Sequence, residues 1–152
     1  TNTYFHTEPF LDITKVPDDM AGRYDVVVST DVFEHVVPPV SRAFEGARRL
    51  LKPGGTLVLT VPFDLGPRTR EHFPHLHEFR IEEGPGGHRL VNTRTDGTVE
   101  TFEHLVFHGG PGSTLEMRVF SRRSLREALE AAGFESVAFA GDAVPEFGLY
   151  WE

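Results

Sequence analysis

Tyr24-Asp25-Val26-Val27-Val28-Ser29-Thr30 is a β-branched run with no apolar–polar alternation. That pattern predicts a strand buried on both faces, as in a parallel sheet. Beyond Pro38-Pro39, Val40, Phe44, Ala47 and Leu51 recur at helical spacing, and Arg42, Glu45, Arg48 and Arg49 take the opposite face. Pro53 and Gly54-Gly55 stop this helix near Lys52. Residues 56–61 then read as a second buried strand, closed by Pro62. The three elements make a strand–helix–strand unit of the length a parallel crossover needs.

The same grammar returns later in the chain. Ser121 or Ser124 caps a helix whose Leu125, Ala128, Leu129 and Ala132 share a face, and Gly133 ends it. Residues 134–140 and 147–151 follow as strands, and Phe10-Leu11-Asp12-Ile13 reads as a short strand before a loop over 16–22. Between the two units, residues 63–119 are rich in Gly, Pro, His and Arg and lack a helical period. Segments 79–82, 89–93 and 98–107 are predicted strands, with Thr95-Asp96-Gly97 as a hairpin turn. This region is read as a β-rich insertion at the carboxyl end of a sheet strand, where open α/β sheets bind ligands.

Composition narrows the choices. The 152 residues contain no cysteine, which excludes disulfides, thiolate metal sites and a cysteine nucleophile. Net charge is -8, and no basic run exceeds Arg122-Arg123, so nucleic acid is not an expected partner. No apolar run approaches the roughly 20 residues of a membrane span, and the first residues lack a signal-peptide pattern. The expected setting is cytoplasmic, with no membrane partner.

Two linked segments carry a family resemblance. Residues 24–36, ending Asp31-Val32-Phe33-Glu34-His35-Val36, and residues 49–59, with Leu50-Leu51-Lys52-Pro53-Gly54-Gly55, stand at matching separation. Together they resemble the class I S-adenosylmethionine-dependent methyltransferases, in the subgroup whose fourth strand runs into an E-H-V turn. The Ala132-Gly133-Phe134 ending of the later helix is similar to that subgroup too. The resemblance implies an α/β fold: a partial Rossmann-like parallel sheet with flanking helices and the β-rich insertion. The methyltransferase core would comprise residues 1–62 and 119–152, and residues 63–118 would be a substrate cap. The family's glycine-rich cofactor loop is not found. Gly84-Pro85-Gly86-Gly87 and Gly109-Gly110-Pro111-Gly112 do not sit between a buried strand and a helix. The resemblance therefore implies the C-terminal part of a longer enzyme, lacking the first two strands, or a chain that compensates by forming a homodimer or by rearranging.

By the same resemblance, S-adenosylmethionine is the cofactor. Asp12 and Ile13 fall where the family grips the adenine; a turn-capping Asp12 is the competing reading. Ser29, Thr30 and Asp31 follow the fourth strand and would face the methionine part of the cofactor and the substrate; ordinary strand-end turn chemistry is the competing reading. His35 stands at the mouth of that site as a general base, or else as a hydrogen-bonded structural histidine. Glu34 is expected to cap a turn or pair with an arginine. In His72-Phe73-Pro74-His75-Leu76-His77-Glu78, His75 and His77 would share a strand face, with His72 joining through the Pro74 bend. His75 and His77 are candidate substrate-side bases, and the cluster is also a candidate zinc or iron site. His104 and His108 are read as a solvated sheet face, with lining of the same cavity as the alternative; Arg80, Arg94 and Arg118 as solvated charge, with binding of an anionic substrate group as the alternative; and Phe63, Phe79, Phe102 and Phe107 as core. The expected activity is methyl transfer to a small-molecule or sugar-like hydroxyl. A non-catalytic module derived from a methyltransferase, and a metal-binding domain built on residues 72–78, are the rivals.

Overall fold

Strands β1 (Tyr24–Thr30) and β2 (Leu51–Thr60) run side by side in the same direction, with Val27 opposite Leu57 and Thr30 opposite Thr60. They come from a computed structural model that describes residues 11–140. β2 starts earlier than the sequence predicts, because Leu51 already pairs with Tyr24. The ladder then skips from Tyr24–Leu51 to Val26–Thr56, and the extra residues loop out around Gly54 at φ 76°. Only glycine adopts that conformation without strain.

Helix α1 (Ser41–Leu50) joins the two strands. Its buried face is Ala43, Phe44, Gly46, Ala47 and Leu50, while Arg42, Glu45 and Arg49 are exposed. Gly46 is required there: a Cβ at this position would lie 1.8 Å from the Ile13 carbonyl oxygen. Helix α2 (Arg122–Ala131) is capped by Ser121, whose Oγ accepts the Ser124 N–H at 3.0 Å. Leu125 and Leu129 are its buried residues, and Gly133 at φ 90° follows its end as predicted. The first hydrophobic cluster joins Phe33, Val36, Ala43, Phe44, Ala47, Phe120, Leu125 and Leu129.

The insertion begins with β3 (Phe63–Asp64) and β4 (Arg70–Glu71). Both pair with β10 (Arg118–Ser121), β3 parallel and β4 antiparallel, so β10 is the central strand of a small neck sheet. Beyond the neck, β5 (Glu78–Gly84), β6 (Gly87–Thr93) and β7 (Val99–Phe102) form an antiparallel sheet. β8 (Phe107–His108) and β9 (Thr114–Leu115) pair as a short hairpin. Phe73, Leu90, Leu115 and Met117 centre a second hydrophobic cluster. The two glycine-rich runs are the β5–β6 and β8–β9 loops, as expected. No helix among the described residues is long and apolar enough to cross a membrane.

The structure corrects several expectations. β1 and β2 are not covered on both faces among the described residues: Val26, Val28 and Val58 are 54%, 65% and 47% exposed. Residues 134–140 form no ladder. Phe134, Val137 and Phe139 pack on the first cluster and alternate with exposed neighbours, but an apolar cavity of about 490 Å³ intervenes between this segment, β2 and α2. The strand expected over 98–107 is broken at His104, whose φ is 60°. Residues 12–15 form a turn where the strand was expected, with the Lys15 N–H donating to the Asp12 carbonyl. Phe10 and the strand expected over 147–151 lie outside the described residues.

Candidate functional site

At the carboxyl end of β1 the chain turns sharply. Asp31 has φ 51°, donates its N–H to the Thr60 carbonyl at 3.0 Å and accepts the Thr60 hydroxyl at 3.3 Å. The two parallel strands are thus tied together at the end where α/β sheets hold ligands. The next residues, Phe33–His35, make one 3-10 turn that is buried throughout. Phe33 anchors it, its ring meeting Phe44 edge-on at 5.0 Å.

The neck clamps this turn from the other side. Met117 N–H donates to the Glu34 carbonyl at 2.8 Å. Arg118, fully buried, donates through Nη1 to the Phe33 and Val36 carbonyls at 2.9 and 2.7 Å, and through Nε to Glu71 Oε1 at 2.8 Å. Arg118 is therefore a cross-brace between insertion and turn, not the solvated charge read from sequence.

A chain of carboxylates and imidazoles lies against the clamp. His108 Nε2 donates to Glu116 Oε2 at 2.9 Å, and Glu116 Oε1 lies 2.7 Å from His72 Nε2. His108 Nδ1 is 3.7 Å from Glu34 Oε1, and His35 Nε2 is 3.5 Å from the same oxygen. His35 Nδ1 is 2.9 Å from the Leu115 carbonyl, and the His35 and His108 rings stand edge to face at 4.6 Å. Burial pushes the Glu34 carboxyl up to about 7, and the negative charge of Asp31 adds to the rise. Burial holds the His35 imidazole below its usual value, against the opposing pull of the Leu115 carbonyl.

The fold sorts the sequence candidates. Ser29, Thr30 and Asp31 are together at the strand end, with Ser29 half-buried and the other two exposed. Asp12 forms a turn cap, its Oδ1 accepting the Thr14 N–H and hydroxyl at 3.0 and 2.7 Å; Ile13 packs on the first cluster over Gly46. Those bonds more than offset the burial that would raise the Asp12 carboxyl, and its pKa is lowered. Glu34 does not pair with an arginine; its neighbours are imidazoles. The run 72–78 is not a cluster: His72 turns to Glu116, while His75 and His77 are exposed. Asn92 holds that turn by its backbone, donating to the His75 carbonyl at 2.8 Å and accepting the His77 N–H at 2.9 Å. His108 is not on a solvated face. Its partnership with Glu116 depends on the β8–β9 hairpin, for which the sequence carried only a glycine-rich loop as a signal. Phe79, Phe102 and Phe107 do pack on the second cluster.

A segment of the chain is 41% identical over 56 residues to a highly reducing polyketide synthase of Hypocrea jecorina. The match covers 35% of this chain and 2% of the synthase, so the chain spans a small fraction of that relative. A family model described as methyltransferase domain matches residues 4–138, most of the chain including β1, the Glu34-His35 turn and the insertion. The chain belongs to this methyltransferase domain family.

Proposed function

We propose that the chain is the C-terminal, substrate-facing part of a Rossmann-like methyltransferase that uses S-adenosylmethionine to methylate a hydroxyl on a small or sugar-like molecule. In this reading residues 1–62 and 119–152 are core, and residues 63–118 are the cap that selects the acceptor. The observation that carries it is the parallel β1–β2 pair, whose carboxyl ends meet a buried acid–imidazole cluster supplied by both core and insertion.

The residues present fit part of a cofactor site. Asp31 offers an exposed carboxylate at the strand end, and Asp12 keeps Oδ2 outside its Thr14 bonds. Asp12 and Ile13 would hold the adenine end; Ser29, Thr30 and Asp31 would face the methionine end. The bound cofactor supplies an electrophilic methyl on a sulfonium. The protein's part is alignment, exclusion of water and removal of the acceptor's proton. His35 would be the base, and the neighbouring Glu34 and Glu116 carboxylates would stabilise the proton it receives.

The similarity to a polyketide synthase favours a second reading, in which the acceptor is a carbon flanked by carbonyls. The same cluster would then take a proton from carbon. Labelled cofactor distinguishes the two, since one gives a methyl ether and the other a carbon-bound methyl. The decisive experiment is calorimetric titration of S-adenosylmethionine into the intact natural protein. Binding is expected, and Asp12→Ala weakens it more than His77→Ala. Absence of binding supports a non-catalytic module, and a larger effect at His77 refutes the placement of the cofactor.

A further inference from the structure

Glu34 Oε1, His35 Nε2 and His108 Nδ1 all lie within 4.8 Å of one another, where the Phe33–His35 turn meets β8. Their hydrogen-bond partners fix the tautomers. The Leu115 carbonyl can only accept, so His35 carries its hydrogen on Nδ1. The Glu116 carboxylate likewise takes the hydrogen of His108 Nε2. Each neutral ring therefore turns a lone pair toward Glu34, at 3.5 and 3.7 Å.

Glu34 is fully buried, and neither of its carboxylate oxygens accepts a hydrogen bond among the described residues. Acceptors facing acceptors around a buried carboxylate repel, so a positive charge belongs between them. A shared proton would draw two of these atoms to about 2.7–2.9 Å. The observed separations are wider. Ligands about 2.0–2.1 Å from a tetrahedral ion stand roughly 3.4 Å apart, close to both.

We propose that Glu34, His35 and His108 bind one divalent transition-metal ion of the zinc class. Two imidazoles and a carboxylate suit such an ion. Glu116 holds His108 from behind, as carboxylates commonly do for metal-bound histidines, and His72 extends that support. The fourth tetrahedral position is left for water or an acceptor oxygen. The ion ties the core, through residues 34 and 35, to the insertion, through residue 108. This site is defined without reference to the methyl-transfer reading and is tested with metal alone; an ion bound there occupies His35 Nε2, so its uptake would exclude His35 as the base.

The test uses the intact natural protein, free of affinity tags and stripped with a chelator. Zinc is titrated calorimetrically, and cobalt is followed by its visible absorption, which reports tetrahedral geometry. One equivalent per chain is expected, with a tetrahedral cobalt spectrum. Glu34→Gln, which preserves shape, and His108→Ala each weaken binding at least about 100-fold, and Glu116→Gln weakens it about 10- to 100-fold. The double variant His75→Ala/His77→Ala binds as the wild type does. Circular dichroism establishes which variants fold; if Glu34→Gln or His108→Ala does not, Glu116→Gln decides. Failure to take up either metal overturns the proposal. So does binding that survives the folded ligand variants, or binding lost in the His75/His77 variant.

Discussion

The neck and the parallel strand pair invert the ordinary distribution of polarity in opposite ways. Around β10 the protein buries charge: Glu34, Glu116 and Arg118 are all inside. On β1 and β2 it exposes valine, at Val26, Val28 and Val58. Buried polar groups and exposed apolar surface are the informative departures in a folded chain. In the neck, Glu116 and Arg118 are hydrogen-bonded and Glu34 faces two imidazoles, so the departure builds a site. On the strands it is a residue choice suited to a sheet covered on both faces, next to a face that the described residues leave open.

Breaking the neck should have the largest effect. Arg118→Ala leaves Glu71 and two backbone carbonyls without their partner, and a loss of about 3–5 kcal/mol is expected in urea denaturation. Leu90→Ala empties the centre of the second cluster and should cost about 2–5 kcal/mol in the same measurement. Ser121→Ala removes the cap of α2, where the neck ends, and is expected to cost about 1 kcal/mol.

Smaller effects sharpen the contrast. Asp12→Asn should cost about 0.5 kcal/mol at neutral pH by weakening the bonds from Thr14. Because the folded carboxyl titrates below its usual 3.8, the wild type's advantage is full above that value. It disappears as pH falls through the lower folded value, which a series of acid denaturation curves will show. Val28→Thr, on the open face, should change stability by less than about 0.5 kcal/mol. A loss comparable to that of Leu90→Ala would show that this valine is covered and would erase the contrast between the regions.

The elements that local chemistry determines were legible in the sequence. The valine run, the Phe44 helix and the Ser121 cap all formed where their patterns placed them. The Asp96-Gly97 turn did too: Gly97 has φ 84°, and Asp96 Oδ1 accepts the Thr98 N–H at 2.9 Å. The acid–imidazole cluster was not legible as a unit. Its members at 34, 35, 72, 108 and 116 meet only once the neck and the β8–β9 hairpin are folded. Proximity in sequence pointed instead to residues 72–78, whose histidines diverge because Asn92 holds their backbone while the rings at 75 and 77 face outward. Arg118 misled for a related reason, since nothing local reveals that Glu71 and the 33–36 carbonyls await it.

The pairing of β3 with β10 has a further consequence. The points where the chain leaves the common scaffold and comes back to it are neighbouring strands, Phe63 opposite Phe120, about 4.8 Å apart. Whatever lies between them behaves as a cassette, free to lengthen, shorten or be replaced without pulling the flanking elements out of place. The stretch 115–118, together with Thr69 and His108, reaches back across the junction and has to travel with the socket when the cassette is exchanged.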